Sequence, residues 1–271
     1  MTMKKVYLTL AAIVRDQEHY IREWLAFHRL VGVERFVIVL HRCKDRTEEM
    51  IRKLPFADSV FVHHVEGDRQ HVQLGAYRWI HENYGGVTRW MMFLDSDEFL
   101  FGVKQDDLRM ILPRYEKHGA VAAHWLLFGS SGHVLRPPMP SIRYFTRCQP
   151  NSSLNRGLKS IVRADDVTNI VSTHLFVTKS GTVREHGDPV DIANKWRSEA
   201  APTRDILQCN HYQTRSMQDW VDRRKRGSCN DPRPSSHYDV DKFYEYHTDT
   251  VEDTRILRFA CPLEKMLGEC R

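Results

Sequence analysis

Residues Trp90–Phe101 read WMMFLDSDEFLF: a fully apolar run delivers Asp95, Ser96, Asp97 and Glu98, then returns to Phe99, Leu100 and Phe101. An apolar run of strand length reads as a buried strand of an α/β sheet. Ligands of open α/β sheets bind at the carboxyl ends of strands, so three carboxylates are placed where a ligand would sit. Carboxylates this close repel one another and are costly to bury unless a cation neutralises them, and hard divalent ions such as Mg2+ or Mn2+ take oxygen ligands. The stretch therefore implies a metal site. A solvated acidic turn is the plainer alternative, and the apolar anchors on both sides weigh against it.

Upstream, Val6–Val14 reads as a strand. Ile21, Trp24, Leu25 and His28 recur at spacings of three, four and seven, which makes residues 18–30 an amphipathic helix ended by Gly32. A strand over Arg35–Leu40, a helix over 46–53, a strand over 59–64 and a helix over 70–83, stopped by Gly85 and Gly86, follow in turn. This alternation predicts a Rossmann-like, mostly parallel sheet flanked by helices. Further on, the pattern predicts a helix over 106–117, a strand over Ala120–Leu127 and a Gly, Ser and Pro-rich loop over 129–141. A strand over 157–163 and a hairpin over 173–184 around Ser180-Gly181 come next, and the last seventy residues read as mainly helical. Ser216 with Asp219 has the form of a capping box opening a helix that closes at Gly227. The chain shows no repeat, low-complexity tract or linker, so a single domain over 1–271 is expected.

The composition is that of a globular chain: 271 residues, 41% hydrophobic and 28% charged. It excludes a disulfide-stapled miniprotein and a disordered chain. A net charge of +5 suits an anionic ligand or a membrane surface and is too small to announce nucleic-acid binding. The basic run at 223–227, RRKRG, with a pI near 8.9, keeps a nucleic-acid-binding module as the last-ranked reading. No stretch approaches the roughly 18 apolar residues of a membrane span. Residues 1–14 carry two lysines and an apolar run, but Arg15, Asp16, Gln17 and Glu18 follow without a small-residue cleavage site. A first strand is read there rather than a signal peptide. The six cysteines, Cys43, Cys148, Cys209, Cys229, Cys261 and Cys270, form no C-x-x-C pair, which reads as reduced cytoplasmic thiols and argues against a zinc site.

A second constellation lies where the first strand meets its helix. Backbone amides there attract anions, Arg15 adds charge, and Asp16 could accept hydrogen bonds from a base or ribose or act as a helix N-cap.

VRDQEHYIREWLAFHRLVGVERFVIV from Val14, FLDSDEFL from Phe93, WLLFGSSGH from Trp125, LKSIVR from Leu158 and NHYQTRSMQDWVDRRKRG from Asn210 occur in that order. The chain thereby resembles glycosyltransferase family 92 and the related family 2-like group, over roughly residues 7–227. The resemblance implies an α/β, GT-A-like fold with a nucleotide-binding half (1–100), an acceptor-side half (101–227) and a helical C-terminal appendage (228–271). It also implies a nucleotide-sugar donor, Mn2+ or Mg2+ held by the Asp-x-Asp motif, and transfer to an acceptor hydroxyl with inversion. By carry-over, Asp95 would meet the ribose or a metal-bound water, Asp97 would ligate the metal, and His211 would be the third ligand, with a core or capping histidine as its plain alternative. Lys159, Arg223 and Arg226 are candidates to pair with the diphosphate, and ordinary surface charge is the alternative for the arginines.

Three places depart from the family's habit. Arg15-Asp16-Gln17 replaces a Lys-Asn-Glu type triplet, His41-Arg42-Cys43-Lys44-Asp45 replaces an Asn and Ser-rich turn, and Arg223 replaces a lysine. Asp45 remains available to the nucleotide, while the base and sugar stay open. Glu98, His133, His174 and Asp188 are base candidates by residue type, unranked. Of Trp90, Trp125, Trp196, Trp220, Tyr144 and Phe145, most read as core and one or two as acceptor platforms. The expected acceptor is a surface or capsular glycan, free or lipid-linked, with the basic C-terminal helix a candidate for peripheral contact with an anionic membrane. A metal-dependent phosphoesterase or nucleotidyltransferase is the alternative enzyme class, because acidic clusters at strand ends serve phosphoryl chemistry too.

Overall fold

The computed structural model describes residues 3–67, 71–227, 239–246 and 250–268. Its first half alternates strand and helix: β1 (Val6–Val14), α1 (Ile21–Leu30), β2 (Arg35–His41), α2 (Thr47–Arg52), β3 (Val60–Val65), α3 (Val72–Tyr84) and β4 (Thr88–Phe93). β1 pairs in parallel with β2 and β4, and β2 with β3, with Leu10 opposite Phe36 and Met92. Such strands must be apolar on both faces, and β2 is buried along its whole length. The helix after β1 begins at Ile21 because Gln17 to Tyr20 make a turn first, in which the Tyr20 and Ile21 amides both donate to the Gln17 carbonyl.

The second half folds back onto this sheet. It comprises β5 (Glu98–Gly102), β6 (Ala120–Leu127), β7 (Arg147–Cys148), β8 (Leu158–Arg163), β9 (Val167–Asn169), β10 (Val177–Thr178), β11 (Thr182–Arg184) and β12 (Leu207–His211), then α4 (Met217–Arg226), α5 (Val240–Tyr246), β13 (Val251–Glu252) and α6 (Ala260–Leu267). The curled central sheet runs β3-β2-β1-β4-β8-β6-β12-β5, with β11 also on β6. β8 is antiparallel to both neighbours and β5 antiparallel to β12; the remaining pairings are parallel. β1, β2 and β3 step one way from the centre and β4 the other, so the crevice at the ends of β1 and β4 is the topological switch point.

Three local expectations are corrected. Residues 106–117 form two 3-10 turns, Leu108–Met110 and Leu112–Tyr115, because Pro113 opens the second and cannot donate to a continuous helical ladder. The expected hairpin over 173–184 does not form. β10 pairs with β9, whereas β11 joins β6 in parallel, and buried Asp166 holds the intervening turn through the Ser180 amide and hydroxyl at 2.8 and 2.9 Å. The last seventy residues are not mainly helical at their start, since β12 is a fully buried strand of the main sheet. α6 packs on α1: Arg22 Nη2 donates to the Leu267 carbonyl at 3.0 Å, and Phe27 meets Phe259 edge-on at 5.2 Å. Cys43, Cys148, Cys209 and Cys261 are free thiols, and Cys229 and Cys270 lie outside the described residues. Among the described residues no helix is long and apolar enough to cross a membrane.

Candidate functional site

The carboxyl ends of β1 and β4 open into a cleft of about 390 Å³, closed on its far side by α4 and by the loop carrying Arg136. Arg15, Asp16, Asp45, Asp95, Asp97, Arg223 and Arg226 all line it, although they come from four separate stretches of chain. The β4–β5 turn presents the acidic motif because the Glu98 amide donates to the Asp95 carbonyl and the Glu98 carboxylate accepts from the Asp95 amide at 2.8 Å. Trp24 Nε1 fixes the same turn from α1, donating to the Glu98 carbonyl at 2.7 Å.

Each carboxylate of the motif has its own environment. Asp95 is about a third exposed; its Oδ2 accepts from Lys159 Nζ at 2.8 Å and its Oδ1 from Gln73 Nε2 at 2.6 Å. Burial would raise its carboxyl, but Lys159 outweighs burial and holds it below the usual range. Asp97 is nearly buried, with Oδ2 on Arg223 Nη1 at 2.7 Å and Oδ1 facing His211 Nε2 at 3.7 Å. Burial is again outweighed, here by Arg223 with help from His211 and Arg215, and Asp97 stays ionised. Glu98 is sealed, and burial, opposed by Lys159 and reinforced by Asp95 and Asp97, raises it well above the ordinary carboxyl range. His211 is buried and pushed down to about 4, so it is neutral at pH 7. The Trp125 ring lies against it, tilted by 45°, with ring centres 4.5 Å apart.

The chemistry of this donor set fits a divalent ion. Asp97 Oδ1 and neutral His211 Nε2, a carboxylate oxygen and an imidazole nitrogen, face each other at 3.7 Å, too far apart for a hydrogen bond. Asp95, Asp97 and His211 are not gathered as tightly as two other groups among the described residues, Asp16 with Cys43 and Asp45, and Glu185 with His186 and Asp205. The first of those is a loop tie. Asp16 Oδ1 accepts from the Lys44 and Asp45 amides, and Asp45 accepts from Thr47 through Oδ1 and from the Glu18 amide through Oδ2. Burial pushes the Cys43 thiol up to about 11. Asp16, at φ 47°, caps no helix; it joins the β1–α1 loop to the β2–α2 loop.

The remaining expected residues lie apart from the cleft lining. Lys159 is fully enclosed beneath the motif. Asp188 pairs with Arg184 at 3.0 Å. His133 stands edge-on to Tyr144 and Phe145, its amide donating to the Ser130 carbonyl. His174 is pushed down to about 3 by burial and by Lys159. Trp90, Trp220 and Phe145 are core.

Residues missed in the sequence complete the cleft: Gln73, Tyr20, Arg136, Arg215 and Asp219. Arg215, at φ 52°, donates to the Ser96 carbonyl at 3.0 Å and lies 3.7 Å over the Tyr20 ring. Tyr20 and Arg136 converge on Asp219, each at 2.7 Å. Asp219 also completes the capping box with Ser216 that was legible in the sequence. Two non-glycine residues in left-handed conformations, Asp16 and Arg215, thus line one cleft, and such backbone strain concentrates at functional sites.

The sequence model for glycosyltransferase family 92 matches residues 4–254. A glycosyltransferase family 92 protein of Oryza sativa subsp. japonica is 25% identical over 191 residues, 64% of this chain and 30% of its own length. One of Ricinus communis is 23% identical over 201 residues, 65% of this chain and 32% of its own. The chain thus spans about a third of the length of these relatives. Among solved structures, S. aureus TarS in complex with UDP is similar at a TM-score of 0.34 and 17% identity, covering 59% of this chain and 47% of that one. Glucosyl-3-phosphoglycerate synthase of Mycobacterium tuberculosis, with Mn2+, UDP-glucose and phosphoglyceric acid, gives 0.30 and 14%, covering 44% of each chain.

Proposed function

Because the chain belongs to glycosyltransferase family 92 and has the α/β, GT-A-like fold, we propose that it is a metal-dependent glycosyltransferase that moves a sugar from a nucleotide-sugar donor to a glycan hydroxyl, with inversion, in surface-glycan synthesis. The supporting observation is the convergence, at the switch-point cleft, of the Asp95–Asp97 turn with five arginines from other stretches: Arg15, Arg136, Arg215, Arg223 and Arg226.

Asp97 and His211 would hold the divalent ion, which when bound stabilises negative charge on the departing diphosphate. Arg223, on Asp97, and Arg226, on the Asp16 carbonyl at 2.8 Å, flank the place where that charge develops. Asp95 accepts from the ribose. Arg15, with the Asp16–Asp45 tie behind it, shapes the nucleotide end of the cleft. Glu98, sealed beneath the motif, supports the turn and meets no acceptor. Asp222, which lines the cleft and pairs with Arg136 at 3.0 Å, would take the acceptor's proton in place of Glu98, His133, His174 and Asp188. Residues 1–100 would form the nucleotide half and 101–227 the acceptor side, with His211, Arg223 and Arg226 reaching back from the second to the donor.

A thermal-shift screen of nucleotides and nucleotide sugars, with and without Mn2+, tests this, since a ligand that binds only the native state raises the melting temperature. The expected result is a shift with one nucleotide that needs Mn2+ and is absent in Asp97→Ala. Release of phosphate from the nucleotide, with no sugar moved to any acceptor, would select phosphoryl chemistry instead.

A further inference from the structure

Lys159 is the residue whose placement in the sheet is hardest to account for by folding alone. It sits in β8 opposite Ala123 of β6, fully buried, where an ammonium carries a heavy desolvation penalty unless charged partners are well placed. Its two carboxylate partners are Asp95 Oδ2 at 2.8 Å and Glu98 Oε2 at 3.3 Å. Lys159 does not line the cleft, whereas Asp95 does. The other oxygen of Asp95 is held from α3 by Gln73 at 2.6 Å. The terminal torsion of an aspartate is broad and nearly two-fold, so a carboxylate gripped on both oxygens has lost the freedom it would otherwise have. Each oxygen keeps a second lone pair for a ligand.

We propose that Lys159, assisted by Gln73, is the positioning residue of the donor site: it orients the Asp95 carboxylate from behind and never touches the diphosphate. The inference rests on the donor-site reading above and replaces the diphosphate contact expected of Lys159 from the sequence. It makes the buried cation part of nucleotide recognition, acting on the ligand through Asp95 rather than by contact.

A double-mutant cycle tests it. Lys159→Met, Asp95→Asn and the double variant are titrated calorimetrically with uridine, guanosine and cytidine diphosphates in Mn2+, and their melting temperatures are recorded. Each single variant is expected to weaken binding by about 10- to 100-fold, the usual effect of removing a supporting partner. The double variant should be no weaker than the worse single one, because Lys159 has nothing left to position. Losses that multiply would mean that Lys159 acts by a route other than Asp95, directly on the ligand or through Glu98, and would overturn the proposal. A Lys159→Met variant that melts lower but binds normally would make the lysine purely structural and overturn it equally. Should Lys159→Met fail to fold, Gln73→Ala, in the first turns of a surface helix, runs the same cycle: weaker binding that disappears in the Asp95→Asn background is expected, and a loss that persists there refutes the route through Asp95. An unsubstituted chain that binds none of the three diphosphates overturns the donor-site reading, and this one with it, an outcome read from the wild type alone.

Discussion

Gly157→Ala exchanges a hydrogen for a methyl group directly against the ring of Trp125. The new Cβ would stand 2.0 Å from Cε3, 2.4 Å from Cζ3 and 2.7 Å from Cδ2. An ordinary carbon–carbon contact is about 3.5–4.0 Å, so the indole must withdraw by roughly 1.5 Å. The backbone of Gly157, at φ −59° and ψ 144°, accepts alanine without strain, which leaves the steric clash as the only new cost. Trp125 has little room, with His211 at 4.5 Å, His174 at 5.4 Å and Trp196 at 6.3 Å between ring centres. Overpacking of this kind costs about 1–3 kcal/mol, and each kcal/mol lowers the melting temperature of a chain this size by about 2–4 °C. The displaced ring also pushes on His211, which faces Asp97, so Mn2+ affinity should fall by about 10- to 100-fold, as when a supporting partner is lost. Scanning calorimetry and Mn2+ titration of the two proteins read both effects. A variant that melts with the wild type and binds Mn2+ equally would show that the indole does not lie against Gly157, and the reasoning from packing to site would fail.

Glu98→Gln should leave stability and nucleotide binding nearly unchanged, because burial already disfavours the charged carboxylate and glutamine retains the acceptor oxygen for the Asp95 amide and Lys159; a drop of more than about tenfold in binding would show that the site depends on the charge of Glu98. Glu23, fully buried, accepts from the Ser141 and Ile142 amides at 3.0 Å each, so Glu23→Ala strands two donors and should destabilise by about 2–4 kcal/mol, measured by denaturant unfolding. His124 and His211 are pushed down to about 4, and His28 and His174 to about 3, all chiefly by burial. Being neutral when folded, they stabilise fully above about pH 6.5 and lose that contribution as pH falls toward 4, by about 1.4 kcal/mol per pH unit for each net proton taken up on unfolding. Raised Glu23 and Glu98 work in the opposite sense, favouring the folded state at low pH. The melting temperature should therefore drop between pH 6.5 and 4.5, and a flat profile would contradict the buried neutral histidines.

The parallel half of the sheet was legible because its strands are buried on both faces and so are apolar without interruption, as in Val6–Val14 and Trp90–Leu94. β5 and β12 were not. Phe99–Phe101 reads as an anchor until its partner is known, and that partner, LQCNH, carries buried Gln208 and Asn210 that bond to each other at 2.6 Å, and Asn210 to the Tyr212 hydroxyl at 3.0 Å. Side-chain pairing of that kind is made by the fold and leaves no periodicity behind. The acidic motif announced the cleft, since charge following an apolar strand is a local signal. Lys159 did not announce its burial, because a sequence displays charge but not enclosure. Arg215 and Gln73 were unreadable for the same reason: what they touch lies 119 and 22 residues away.

The most direct test of the donor-site reading is calorimetric titration of the nucleotide sugar found in the screen, first in Mn2+, then after chelation, then with Mn2+ restored. The account predicts binding that vanishes on chelation, returns with the ion, and is absent from an Asp97→Ala variant that remains folded. Undiminished binding in chelator, or by Asp97→Ala, would contradict it.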